Sequence, residues 1–387
     1  MMQELAEDMA LRGHEVTVAT AMPHDDLNLS RDLQQHFDTC SMEKNVRVIR
    51  VGTPPLKNKN YFVRGLVQLM LPYMFLRQIR KFIENTIDTV IVSTPPLPLA
   101  TLGSKVKKAY GSKYILCVQD IFPQNVVDLG VMKNRLLIEF FERVANSAYR
   151  SSDIMTSHTR TSRKFLIEEK GVPSDKILYV PNWIDVTPYA HAEKTGYYRK
   201  KYGLEDRFVF LFAGVIGPSQ GLDVLLKAVA ETKDIPEDIC VLIVGEGAEK
   251  ERLIKMKEQY SLDSVVFEPF VSLEEYPRLV KDVDAGIVCL SSLNKTPVVP
   301  GKVLGYMASA VPVVAVLNRE SDGHAIIQDA ACGYSVTSDA SPEEISKVIL
   351  RIYNEKEKLK QYGDSGYRYV QKHFTKDTCL GSLTKLL

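Results

Sequence analysis

FAGVIGPSQGL, residues 212–222, joins a short apolar run to a helical repeat, and its reading decides the fold of the chain around it. Residues 209–213 are rich in strand formers, whereas Leu222, Leu225, Leu226 and Val229 recur at the spacing of one helix face. Gly214, Gly217 and Gly221 therefore fall at a strand-to-helix corner. Glycines at such a corner let backbone N–H groups approach an anion, and the positive end of the helix dipole favours a phosphate there. A tight turn with close helix packing needs the same glycines, so this motif alone leaves both readings open.

Outward from this corner, strand-like and helical stretches alternate through the whole sequence, the pattern of βαβ units and parallel sheets. Strand candidates are 15–20, 46–51, 89–93, 114–118, 154–157 and 177–180 in the first half. In the second half they are 208–213, 240–244, 265–268, 285–290, 313–315 and 334–336. Two doubly wound sheets of about six strands each follow, an α/β architecture of two Rossmann-like domains. The break is placed after YVPNWID (179–185), because 186–207 is polar and shows no core period. The expected units are 1–185, 186–365 and a closing helical segment, 366–387, packing back toward the first domain.

Two more corners point to the same sheet edge. The run 240–244 leads straight into Gly245, Glu246 and Gly247 and then a charged helix, 250–260. In VPGKVLGYMASAVPVVA (299–315), Gly301 and Lys302 open a helix that ends near Ser309 and Ala310. A lysine in the first turn opposes the helix dipole, so an anion is its natural compensation; a plain surface lysine is the alternative. Ligands of open parallel sheets bind beyond the carboxyl ends of the strands, which makes these corners parts of one nucleotide-diphosphate site.

Bulk composition narrows the field. A chain of 387 residues suggests two domains, at roughly 150 residues each. With 49 Lys and Arg against 48 Asp and Glu, there is no global attraction to nucleic acid. The six cysteines are scattered without a C-x-x-C pair, as expected of reduced core thiols and a cytoplasmic location. No secretory signal or membrane-spanning run is apparent: 61–81 is interrupted by Arg64, Gln68, Pro72 and Arg77. H-E-x-x-H and clustered Cys/His patterns do not occur, so no metal is expected. His24, His158 and His324 read as surface or capping residues.

These motifs together, with LRGHEVTVAT (11–20), CVQDIFPQNVVDLG (117–130) and VPNWID, resemble the family 4 retaining glycosyltransferases of the GT-B fold. More closely they are similar to the fucosamine-type, aminosugar-transferring branch that assembles O-antigens and capsules. The resemblance implies a metal-independent hexosyl transferase with no cofactor beyond its donor, a nucleotide sugar, UDP-linked by family preference. Donor contacts implied are Gly214, Gly217, Gln220 and Gly221, with Gly301, Lys302, Val303 and Leu304 at the pyrophosphate. Gly245, Glu246, Phe270 and Val271 are implied near the nucleoside. Asp120 matches the family's cleft aspartate and would orient or deprotonate an acceptor hydroxyl, unless it only caps a turn. Ser93 and Thr94 shape the acceptor pocket or merely stiffen a loop. Lys302 would stabilise charge that builds on the leaving diphosphate.

Three departures accompany the likeness. Relatives begin with a strand and glycine-rich loop, and this sequence starts inside the helix that follows them. Val215, Ile216 and Gln220 stand where many relatives carry cations, leaving Lys302 and Arg319. Gly305 stands where the family has a glutamate for the ribose hydroxyls, with Glu320 a possible substitute. The 61–81 stretch mixes Tyr61, Phe62, Leu66, Leu69, Tyr73, Phe75 and Leu76 with Arg64, Arg77, Arg80 and Lys81. It suits either an anionic bilayer surface near a polyprenyl-diphosphate-linked saccharide acceptor or packing on the first sheet. A UDP-sugar 2-epimerase on the same fold and a non-catalytic binding subunit are the competing functions.

Overall fold

A computed structural model of the chain describes residues 1–23, 37–54, 61–232, 235–381, 383 and 384, with 61 and 62 described by backbone alone. The first-half strands are β1 (Val16–Ala21), β2 (Cys40–Glu43), β3 (Val46–Val51), β4 (Thr89–Thr94), β5 (Lys113–Val118), β6 (Ile154–Ser157) and β7 (Ile177–Tyr179). The second-half strands are β8 (Phe208–Ala213), β9 (Ile239–Val244), β10 (Val265–Glu268), β11 (Ala285–Cys289), β12 (Val313–Leu317) and β13 (Gly333–Thr337).

The second half is one parallel sheet of six strands in the order β10-β9-β8-β11-β12-β13. Reversal of strand order beside β8 puts the topological switch point at the corner after Ala213. Each central strand is apolar on both faces because helices cover both faces. Val209, Leu211 and Ala213 enter one core, while Phe208, Phe210 and Phe212 enter the other. Phe210 is wholly buried, and truncating it to Ala removes about 3–5 kcal/mol.

The first half departs from the expected single sheet. Among the described residues it forms a parallel four-stranded sheet, β4-β5-β6-β7, and a separate three-stranded one, β1-β3-β2. In the smaller sheet β2 runs antiparallel to β3, joined by Lys44 and Asn45, both with positive φ (46° and 65°). That polar hairpin offered no apolar run to flag it. Helices on both faces hold the two sheets together. Leu71, Phe75 and Ile79 of the helix Tyr61–Phe82 pack on Val51, Ala19 and Val90, which belong to β3, β1 and β4. Leu5 and Met9 of Met2–Leu11 cover Val16, Ile91, Ile115 and Cys117 on the other face.

Residues 186–207 are less of a free linker than their polarity implies. Tyr198 and Leu204 are buried in the second-half core. The fully buried Asp282 carboxylate accepts backbone N–H groups from Thr195, Gly196 and Tyr198 at 2.7–2.9 Å. At the other end, the helix Leu359–His373 lies on the second half, with Gly363 pressed against the Ala310 carbonyl. The crossing back, expected from 366, is made only after Phe374, whose carbonyl accepts the Ile184 N–H at 2.9 Å. Leu380 and Leu383 then join Leu5, Met9 and Ile115 in the first-half core.

Candidate functional site

The three corners read from the sequence form one structure. Gly214 N–H donates to the Val244 carbonyl (2.9 Å), Ile216 N–H to the Glu246 carbonyl (2.8 Å), and Glu249 N–H to the Ile216 carbonyl (3.1 Å). A Cβ on Gly245 would sit 1.9 Å from the Gly214 oxygen, and one on Gly247 would sit 2.2 Å from the Ile216 oxygen. Two backbones pass so closely that neither glycine can carry a side chain. Gly221 adopts φ +59° and packs on Ser291, whose N–H donates to Ser219 at 2.9 Å, while Gly245 N–H reaches the Glu268 carbonyl at 3.0 Å. The carboxyl ends of β8, β9, β10 and β11 are thereby stitched around the turn 214–221. Gly217 is extended and leaves its neighbourhood open.

Lys302 reaches into this turn. Its Nζ donates to Gln220 Oε1 at 3.0 Å and lies 4.7 Å from the Phe212 ring centroid, and its Cε is 2.7 Å from where a Gly214 Cβ would be. Among the described residues it has no carboxylate partner. Burial is the main cause that pulls its ammonium down to about 8, from an ordinary value near 10.5. Tyr306 fixes the helix Gly301–Ala308 that carries it: the phenol donates to the Leu211 carbonyl at 2.7 Å and accepts Ala213 N–H at 3.3 Å. Gly286, without a Cβ, makes room for that ring. Neither Gly301–Ala308 nor the helix Leu222–Glu231 has a capping side chain at its start, so their first N–H groups stay available to an anion.

Other predicted donor residues divide. Val303 and Leu304 bury their side chains in the core, leaving backbone alone to face a ligand. Glu246 is held by Lys250 at 2.7 Å, and Glu320 accepts from Asn318 Nδ2 at 3.2 Å. Phe270 stands 58% exposed beside a half-buried Val271. Arg319, counted as a second cation for the site, is drawn instead to Asp339 at 2.8 Å.

On the first-half side, Asp120 follows β5. It meets solvent but is crowded by protein, and that partial desolvation raises its carboxyl above the usual range. Thr94 is buried with its hydroxyl turned to the Cys117 carbonyl at 3.4 Å, so it stiffens the sheet end rather than lining a pocket; Ser93 is half-buried. His158 is the residue the sequence hid: it is buried rather than superficial, its Nδ1 has no partner, and burial lowers its pKa. Ser157 pairs with Val118 in register, so His158 and Asp120 stand at adjacent strand ends. His324 is half-buried and shares a hydrogen bond with Ser335 Oγ at 2.9 Å, and His24 lies outside the described residues.

The two halves meet through these same loops. Asp128, beyond β5, accepts Lys295 N–H (3.0 Å), and Asp322, beyond β12, accepts Arg160 N–H (2.7 Å). Carboxyl-end loops of one sheet thus face carboxyl-end loops of the other.

Comparison with known proteins agrees with this geometry. Residues 1–183 match the model of a glycosyl transferase 4-like domain, and residues 196–369 match that of glycosyl transferases group 1. Escherichia coli K12 WcaI, named as a glycosyl transferase of colanic acid biosynthesis, is 27% identical over 323 residues, 79% of this chain and 76% of its own. Sucrose-phosphate synthase from Thermosynechococcus elongatus superposes with a TM-score of 0.79 at 15% identity, covering 100% of this chain and 91% of that one. Anabaena HepE in complex with UDP-glucose superposes at 0.66 and 16%, covering 89% and 86%. The chain is therefore a GT-B protein that pairs a glycosyl transferase 4-like domain with a glycosyl transferases group 1 domain.

Proposed function

We propose that this protein is a retaining glycosyltransferase that moves a sugar from a nucleotide diphosphate donor to a lipid-linked saccharide in surface-polysaccharide assembly. The observation that carries the reading is Lys302: a half-buried lysine whose ammonium is desolvated and has no carboxylate partner among the described residues, aimed at a glycine turn whose flanking helices are uncapped. Such a charge is costly without an anion, and a diphosphate supplies one. As the glycosidic bond to the donor breaks, charge grows on the leaving diphosphate. Lys302 and the N–H groups at Gly221 and the start of Gly301–Ala308 then stabilise it more than they stabilise the bound donor. Asp120, with its raised carboxyl, faces the acceptor hydroxyl and orients it, and the departing phosphate oxygen takes up the proton.

A UDP-linked, N-acetylated amino or deoxy-amino sugar is the donor we infer from the family likeness. UDP-glucose in HepE and the colanic acid role in WcaI's name support a nucleotide sugar and a surface polysaccharide. For the acceptor side we assign a bilayer contact to Tyr61–Phe82. Its buried face, including Phe75, packs inward, while Val63, Leu66, Met70 and Tyr73 are 37–64% exposed and run in line toward Arg77, Arg80 and Lys81. Those three cations line a cavity of about 550 Å³ and have no carboxylate partner among the described residues. No helix of the described residues is long and apolar enough to cross a membrane.

Titration with UDP, GDP and their sugars tests the donor site. Failure of all of them at millimolar concentration defeats the reading, whereas binding without transfer to any lipid-linked acceptor points to a binding subunit. Co-sedimentation with phosphatidylglycerol vesicles at low salt tests the bilayer contact, and an unbound protein defeats it.

A further inference from the structure

Gly305 lies three residues beyond Lys302 on the same helix, about 4.5 Å along its axis. It has no side chain, and two phenols converge on the space one would fill. Tyr276 Oη lies 3.1 Å, and Tyr189 Oη 3.6 Å, from the position a Cβ would take. Their rings meet edge to face, with centroids 6.3 Å apart and planes at 90°, so each fixes the other. They come from separate segments, Thr187–Ala190 and Tyr276–Lys281, brought together against Gly301–Ala308.

Neither hydroxyl has a hydrogen-bond partner among the described residues. Other largely enclosed tyrosines do: Tyr114 donates to the Ala100 carbonyl, Tyr306 to Leu211, Tyr198 to Glu275 and Tyr353 to Asp238. Both residues are half-buried and their oxygens are not sealed in the core, so the two phenols that converge on one glycine are open to a partner from outside the chain. Burial pushes Tyr189 up to about 12 and Tyr276 higher still, which keeps both neutral donors.

We propose that Tyr189 and Tyr276 form a hydroxyl-recognition pair that binds vicinal hydroxyls of the sugar nucleotide in front of Gly305. The proposal rests on the donor-site reading above and adds residues to it that no motif marked. Vicinal hydroxyls occur both on the ribose and on the transferred sugar, and nucleotide analogues separate the two.

Calorimetric titration of the full chain provides the test, using UDP, GDP, their 2′-deoxy forms and UDP-glucose. Wild type is expected to bind the ribonucleotide about five- to tenfold more tightly than its 2′-deoxy form, the worth of one or two neutral hydrogen bonds. Tyr276→Phe and Tyr189→Phe keep the rings and should keep the melting temperature, yet each should shrink that ratio toward one. A ratio unchanged in the variants, with a reduced advantage of UDP-glucose over UDP, assigns the pair to the transferred sugar. If both ratios in both variants equal those of wild type, the pair recognises nothing and the inference falls. Wild type that binds no nucleotide at all instead overturns the donor-site reading itself.

Discussion

The Asp322 carboxylate, in the second half of the molecule, accepts a hydrogen bond from the backbone N–H of Arg160, in the first half, at 2.7 Å. It also accepts from Thr161 N–H at 3.2 Å, so a side chain of one lobe caps the helix Arg160–Glu168 of the other. A carboxylate at a helix start is favourable by charge as well as by hydrogen bonding. With the Asp128 contact to Lys295 N–H, the link helps to set the relative placement of the lobes.

Asp322→Ala is expected to loosen that placement, with a loss of about 1 kcal/mol typical of a lost cap. Small-angle scattering should show a larger radius of gyration than wild type, and Asp322→Asn, which keeps one acceptor, should fall between. Identical scattering for all three proteins removes Asp322 from any part in holding the lobes.

Lys302→Met should lower turnover and nucleotide affinity by a factor of tens or more, the scale for removing one charge partner of a transition state. Its effect on the empty protein should have the opposite sign. The methionine removes a desolvated charge that has no carboxylate partner among the described residues, so the melting temperature without ligand should rise. Equal turnover and affinity in the variant exclude Lys302 from the site.

The same lysine sets a pH dependence. A bound diphosphate favours the protonated ammonium, so donor affinity should be full below about 8 and fall as pH climbs through that value. Without ligand the sign reverses. The unfolded lysine keeps its proton to about 10.4, so between about 8 and 10 the unfolded chain binds more protons and folded stability rises relative to Lys302→Met. Titrations of UDP at pH 7.5 and 9.5, beside melting curves of both proteins, check both directions; flat profiles in wild type refute them.

Gly245→Ala places a methyl group 1.9 Å from the Gly214 oxygen, on backbone that has nowhere to move. We expect a destabilisation of at least about 1–3 kcal/mol, as for other overpacked sites, together with loss of nucleotide binding because the two turns separate. Gly301→Ala, which meets nothing within 4 Å, is the matched control and should retain stability. Equal urea midpoints for the two variants contradict the close approach.

Tyr306→Phe leaves the buried Leu211 carbonyl without its 2.7 Å donor. A cost of about 1–3 kcal/mol is expected from urea unfolding, with a further fall in nucleotide affinity as the helix bearing Lys302 loses its anchor. Unchanged affinity at unchanged stability separates Tyr306 from the positioning of Lys302.

Much of the second half was legible from residues alone. Strands buried on both faces appear as continuous apolar runs, and β8 and β10 fall where those runs predict them. Glycine corners at the strand ends followed from the same reading, because close backbone approach excludes a Cβ wherever the sheet puts two turns side by side. Local pattern stopped at features whose cause lies in distant segments. The β2–β3 hairpin is polar, and the split of the first-half sheet depends on helices that cover both faces. Arg319 looked like a site cation until Asp339, from the next strand's end, was placed beside it. His158 looked superficial because nothing within its own segment announces burial.

What the sequence determined by itself is the alternation of elements and the position of the glycine corners, since both follow from the short-range periodicity of apolar side chains and the stereochemistry of glycine. Only the tertiary structure decided that Gln220 meets Lys302, that Asp322 caps a helix of the other lobe, and that Tyr189 and Tyr276 converge on Gly305. Those pairs lie tens of residues or more apart in the chain. Hydrogen-bond geometry and desolvation act through space and leave no mark on the spacing of residues along it.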